Sequence, residues 1–406
     1  MSFKDVLSVP GIKPVFFTIF MVAFGFGVIL PLLPFYALSL GAQPFELGIL
    51  TAVFALMQLI FGPFFGKLAD KIGRRKVLLI GTAGFAASYI VFAFADSFEM
   101  ALLARAIEGF FAAGIFPACL SLLSDFTTEQ QRGKAMGLMG MTFSLGFIFG
   151  PAIGGLAASF SVRDAFFLSA GLSLLNFAWI FFRLKEPVEK DESKDIAKQE
   201  VSLLEHLSSP LLFLFLSSMM ITFMIGGLDA TLALYTSEKL GFTATEIGLI
   251  FTYVGFLIMI MQFVSGGLVN RFGEVRLVQG GLALSGLGFF LLYFTSDWIS
   301  LLLPLAVFVA GNALVFPSVN SLITKKVTGK RGAVLGLNTS FSAAGQVVGP
   351  LFGGFLFGID HVLPFLGLAI VIWVYFGFFS VIAAGKLSGK DSPKKRQNQE
   401  KATSKK

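Results

Sequence analysis

Cysteine and histidine are almost missing from this 406-residue chain: the single cysteine is Cys119, and the two histidines are His206 and His361. One thiol excludes a disulfide framework within the chain. Three scattered Cys and His side chains exclude a Cys/His metal site, so no metal is expected. Charge is scarce too. Asp, Glu, Lys and Arg make up 14% of the residues, where a soluble globular chain uses about 25%. A chain that is 55% hydrophobic, with 50 Phe and a mean hydropathy of +0.83, cannot cover a water-facing surface of this length. It must face lipid, which makes it an integral membrane protein and not the two or three soluble domains that length alone suggests.

What is present fits that reading. A hydrocarbon core about 30 Å thick takes around 20 apolar residues of helix. On that ruler twelve spans fall at roughly 15–39, 45–65, 77–95, 100–123, 135–158, 165–182, 210–236, 244–269, 277–295, 299–322, 333–358 and 363–384. The chain is therefore expected to be all-α, with a six-helix bundle over 1–182, a charged linker over 183–209, a second six-helix bundle over 210–385 and a basic, disordered tail over 386–406. No cleavable leader is expected, because the run after Lys13 is long enough to remain as the first span.

The net charge of +7 would suggest a nucleic-acid partner in a soluble protein, but here it reports topology. With the N-terminus inside, all but three of the 31 Lys and Arg residues fall on the cytoplasmic side. The three are Arg163 and Lys239 outside and Arg105 within a span. Both termini are thus expected in the cytoplasm, in the cell inner membrane, with lipid around the protein and no nucleic acid bound.

The chain also repeats itself at an offset of 200 residues. Leu40-Gly41 and Phe45-Glu46-Leu47-Gly48 correspond to Leu240-Gly241 and Thr245-Glu246-Ile247-Gly248, and Gly66–Gly73 corresponds to Gly266–Gly273. Phe116-Pro117 corresponds to Phe316-Pro317; beyond a one-residue loss, Gly150-Pro151 and Gly154-Gly155 correspond to Gly349-Pro350 and Gly353-Gly354. Six spans per copy puts both copies in the same sense across the membrane. They are parallel repeats about an axis along the membrane normal, with a site expected at their interface near the midplane.

Three motifs stand out on this frame. The loop between spans two and three reads Gly66-Lys-Leu-Ala-Asp70-Lys-Ile-Gly73-Arg74-Arg75-Lys76. Span four has Arg105 with Glu108-Gly109, and span five has Gly146, Gly150, Pro151, Gly154 and Gly155. On these residues the sequence resembles the major facilitator superfamily over nearly its whole length, and within it the twelve-span drug:proton antiporters.

The resemblance implies a fold of two six-helix halves, a monomer, and export of small amphipathic or cationic compounds driven by a proton gradient, with no other cofactor. It makes Asp70, Arg74 and Asp125, with Gly66 and Gly73, a conformational latch for the outward-facing state, or simply a topology signal. The second half has Asn270 and Glu274 in place of Asp70 and Arg74, so the pattern carries no matching latch there. The glycines of span five form a smooth face for close helix contact, which export and plain packing both explain.

Charges inside spans are few. Arg105, Glu108 and Asp229 are expensive to place in hydrocarbon and are functional candidates for that reason. Glu108 and Asp229 lie at similar depth in opposite halves, roughly 10–12 Å below the outer boundary. A carboxylic acid shielded from water can hold a proton near neutral pH and release it to water or to an arriving cation. All three are read as proton-coupling residues: Arg105 and Glu108, three apart on one helix face, can pair, in which case Glu108 stays ionised and Asp229 is the titrating acid; unpaired, Glu108 titrates as well. Gln58, Phe147, Gln262, Asn312, Asn338 and Gln346 are read as cavity-lining positions, with Phe24, Phe143 and Phe341 as further apolar wall.

No phosphate loop is present, since Gly66-Lys67 lacks the required spacing, and no Ser/His/Asp arrangement suggests an enzyme. Besides drug export, the fold would equally serve efflux of a specific metabolite or sugar, lipid translocation, or a ligand sensor that moves nothing.

Overall fold

The computed structural model describes residues 6–186, 211–326 and 331–383. The expected linker beyond Glu186 and the basic tail therefore lie outside the described residues. Among the described residues twelve helices are long and apolar enough to cross a membrane. They are α1 (Ile12–Ser39), α2 (Pro44–Ile72), α3 (Arg74–Phe94), α4 (Phe98–Phe126), α5 (Glu129–Ala158), α6 (Val162–Arg183), α7 (Leu211–Leu240), α8 (Ala244–Phe272), α9 (Glu274–Leu292), α10 (Trp298–Lys326), α11 (Arg331–Phe357) and α12 (Leu363–Phe378), the last running into a π-helical turn over Phe379–Ala383.

The helices stop where local chemistry stops them. Gln43 and Thr243 cap α2 and α8, their backbone N–H groups donating to Glu46 and Glu246 at 2.7 and 2.8 Å. That assigns both glutamates at the span ends to capping boxes. Gly73 and Gly273 sit at φ +98° and +79°, a conformation that only glycine adopts cheaply; each turns the chain into the next helix. Several helices outrun the apolar stretch read from the sequence. α2 continues to Ile72 and, at 29 residues, is about 43 Å long, longer than the hydrocarbon is thick. Its last turns carry Lys67, Asp70 and Lys71 out of the lipid.

Packing repeats with the sequence. α1 lies against α5 and α7 against α11; α3 contacts α4 and α6 as α9 contacts α10 and α12; α2 packs on α4 as α8 packs on α10. Two long seams join the halves, α2 with α11 and α5 with α8, and α7 also reaches α1 and α2. This is the two-fold arrangement of parallel repeats that the even span number requires.

The glycine face of α5 divides between two partners. Gly146, Gly150 and Gly154 lie against the α1 backbone at Phe20, Phe24 and Val28, and the Pro151 ring rests on Gly27. Gly155, one residue round the helix, instead meets Ala244, Thr245 and Gly248 of the opposite half. In the second half Gly345 and Gly349 lie against α7, while Gly354 meets Pro44 and Gly48 of α2.

One end of the molecule collects Lys67, Lys71, Arg74, Arg75, Lys76, Arg132, Arg271, Lys325 and Lys326. Towards the other, far end the halves are in backbone contact, at Gly155 with Gly248 and at Gly48 with Gly354. Towards the basic end that contact is gone. A Cβ added at Gly133 or Gly137 of α5, Gly62 or Gly66 of α2, or Gly336 of α11 would meet nothing within 4 Å. The halves are closed at the far end and parted at the basic end.

Candidate functional site

The two membrane-embedded carboxyls lie at matching depth. Glu108 is ten residues into α4 and Asp229 eleven residues from the end of α7. That is about 15 and 17 Å from the far ends of their helices.

Their surroundings differ. Arg105 donates from Nη1 to Glu108 Oε2 at 2.6 Å, with side chains 1% and 0% exposed. The Tyr89 hydroxyl of α3 donates to the other carboxylate oxygen at 3.4 Å. Gly109 lets the α2 backbone come in at Phe54, and the Phe54 ring then covers the guanidinium at 4.4 Å, with Phe26 of α1 at 5.8 Å. Such a stack holds a desolvated cation well. One guanidinium nitrogen, Arg105 Nε, is buried without a hydrogen-bond partner.

Asp229 is half-exposed, the one such position in the otherwise buried run Gly226–Thr236 of α7. Among the described residues it makes no hydrogen bond or ion pair. The charged group whose field reaches it is Arg105, from the opposite half. The site is thus a closed ion pair on one side of the interface and an open carboxyl on the other.

The other expected lining residues are placed unevenly. Gln58, Asn312 and Gln346 are half-buried on α2, α10 and α11. Phe147 is half-buried, stacked at 6.3 Å on Phe26, and its backbone oxygen lies against Gly255 of the other half. Gln262 bridges the halves, its amide donating to Ser144 Oγ at 3.3 Å. Asn338 is 5% exposed and donates to Asn320 Oδ1 at 3.4 Å, tucked between α10 and α11. Phe24 is buried against α5, Phe143 is exposed, and the Phe341 ring lies tilted against Phe215.

At the basic end Arg74 pairs with Asp125, while Asp70 is exposed and, among the described residues, unpaired. Two contacts here escape motif reading. The Glu186 carboxylate, just beyond α6, accepts from the backbone N–H of Arg74 at 2.7 Å and of Arg75 at 3.1 Å. It caps α3 and lies against Gly73; a positive helix N-terminus favours a carboxylate there. In the second half Glu274 pairs with Lys325 and accepts from Ser321 Oγ at 2.9 Å. These positions correspond to Arg74 and Asp125 with the polarity reversed. The second half has lost the loop signature but has a pair of its own.

Comparison with known proteins adds the decisive observation: the sequence profile of the Major Facilitator Superfamily matches residues 15–241 and again 214–406. The chain belongs to the major facilitator superfamily. It is similar to Multidrug resistance protein 1 of Bacillus subtilis, 32% identical over 364 residues, covering 87% of this chain and 93% of the relative. It is also similar to Quinolone resistance protein NorA of Staphylococcus aureus, 29% identical, covering 86% and 90%. Among solved structures, the bacterial homologue of the human lysosomal transporter Spinster, in an inward-facing and unoccupied conformation, superposes with a TM-score of 0.76 at 16% identity, over 95% of this chain and 97% of that one. The human organic anion transporter MFSD10 gives 0.68 at 22% identity, over 93% and 99%. These distant likenesses concern the superfamily fold. As a member of this superfamily the chain is a multi-pass membrane transporter.

Proposed function

We propose that this protein exports small amphipathic or cationic compounds in exchange for protons, by alternating access across the cell membrane. The observation that carries the reading is Asp229, a half-exposed carboxyl without a partner among the described residues, in a buried stretch of α7 and within the field of Arg105 from the opposite half. A proton and a lipophilic cation can each satisfy such a group, so binding one expels the other. The names of the relatives, multidrug and quinolone resistance proteins, support a substrate range of this kind.

The basic end is the cytoplasmic one, so both termini are cytoplasmic and the halves are parted towards the cytoplasm. Substrate then enters from inside and meets Asp229, with Gln58, Phe147, Asn312 and Gln346 as neutral neighbours. Rocking of the halves opens the far end, where Asp229 takes a proton and lets substrate go. Arg74 and Asp125 are already paired in this inward-open form. Asp70 is exposed and free to join them when the cytoplasmic ends meet, which is the latch role. The protein works as a monomer, since each chain contains both halves of the site.

The test is ethidium efflux from energised cells. Wild type should extrude the dye and lose that ability with a protonophore. Asp229→Asn should lose gradient-dependent efflux while still reaching the membrane. Gradient-dependent efflux that survives in Asp229→Asn would move coupling to another residue. A wild type that extrudes no cation would point to a narrow metabolite or a lipid.

A further inference from the structure

The charges of the central region single out Glu108. Arg105 contributes one positive charge, paired with Glu108 on its own helix, and its field reaches Asp229 in the other half. Glu108 holds that charge at 2.6 Å with both side chains buried, in a setting that Tyr89, Phe54 and Phe26 complete. Asp229, on α7 in the other half, is half-exposed and without a partner among the described residues.

We infer that Glu108 is a specificity-determining residue: by holding the charge of Arg105 within α4 it leaves Asp229 as the one uncompensated charge of the site, so that the site takes a monovalent cation and exchanges it one for one with a proton. The inference rests on the antiport reading above and deepens it. An isolated charge in a low-dielectric interior is costly. The empty site with Asp229 ionised therefore resists the rocking motion, while a bound proton or a single bound positive charge neutralises it. An anion would add to the imbalance, and a doubly charged cation would reverse it. With Glu108 made neutral, Arg105 turns to Asp229. The empty site is then balanced, a cation is no longer called for, and the halves can rock without cargo.

The experiment measures binding of tetraphenylphosphonium and of the similarly shaped anion tetraphenylborate to the purified full-length protein. Wild type should prefer the cation, and each cation bound should release one proton into weakly buffered solution. Glu108→Gln should lower the cation-over-anion preference by about tenfold or more. Arg105→Gln combined with Glu108→Gln, which restores the net charge, should bring the preference back. A role confined to packing would not follow charge in this way.

An unchanged preference in folded Glu108→Gln, or a double variant that stays like Glu108→Gln, overturns the inference. Should Glu108→Gln fail to fold, the proton count on wild type still decides, and any value other than one per cation overturns it. A wild type that does not bind the cation, or an Asp229→Asn variant that binds it equally well, overturns the antiport reading instead.

Discussion

Along α5 and α8 the halves meet at Gly155 and Gly248; along α2 and α11 they meet at Gly354 and Gly48, the positions that the internal repeat puts in correspondence. In each seam a glycine lies against a proline carbonyl, Gly248 against Pro151 and Gly48 against Pro350. Among the described residues the polar ties are not repeated. Thr245 donates to the Gly155 carbonyl at 2.9 Å, Thr252 to the Ile148 carbonyl at 3.1 Å and Gln262 to Ser144 at 3.3 Å. The corresponding residues of α2 are Phe45, Ala52 and Gly62, none of which can donate from a side chain. Close approach, which only small residues permit, was kept in both copies; hydrogen bonds, which any later substitution can add, were not. The α5–α8 seam is therefore the one that resists parting, and α2–α11 the one that yields.

The shared part of the comparison carries the largest expected effect. Gly48→Leu and Gly248→Leu each force a side chain into backbone. Each should disfavour the far-end-closed form by about 3 kcal/mol or more, at the upper end of overpacking costs. Spin labels on the far ends of α2 and α11, and of α5 and α8, would read this as a shift to longer distances. The two variants should behave alike, and tolerance of either one would break the symmetry claimed for the packing.

A cross-link sharpens the part that is not shared. Cys119 is buried and should stay silent. Cysteines at Ser144 and Gln262, where the reach of the Gln262 side chain spans the seam, should be joined by a short bis-methanethiosulfonate reagent, fix the α5–α8 seam near its middle and stop efflux until a reductant is added. The corresponding pair, Gly62→Cys with Ala343→Cys, should not be joined, because a Cβ at Gly62 has nothing within 4 Å. Equal cross-linking of both pairs would mean that the seams part at the same depth.

Much of this architecture is legible in the sequence, for reasons that also set the limit. Twelve apolar runs give twelve helices, since lipid leaves the backbone no other way to satisfy itself. Their true ends are less visible: α2 runs on past its apolar stretch to Ile72, because hydropathy marks the lipid and not the end of a helix. The Arg105–Glu108 pair is readable because three residues is one turn. The Glu186 cap on α3 is not, with 112 residues between donor and acceptor, nor is Glu274–Lys325, whose partners share no motif. That Gly154 faces α1 while its neighbour Gly155 faces α8 depends on helix rotation, which a run of glycines does not encode. Asn338 shows the same limit. Its spacing on α11 suits a cavity face, yet it lies between α10 and α11.

The finest test concerns one hydroxyl. Thr252 can donate its single proton to Ile148 across the seam or to Gly248 one turn back on its own helix, at 3.1 and 2.8 Å. When the seam parts, the local bond remains available, so the cross-seam bond should contribute no more than the lower part of the usual range, about 0.5 to 1 kcal/mol. Thr252→Ala should thus move the closed-to-open ratio at the far end by only about two- to fivefold, in the direction of opening. Ala52→Thr places the same hydroxyl on the untied seam, where the Val347 carbonyl occupies the corresponding position, and should shift the ratio the other way by a similar factor. If Thr252→Ala changes nothing while Ala52→Thr still closes the far end, the local bond already satisfies Thr252, and the resistance of the α5–α8 seam rests on Thr245 and Gln262 alone.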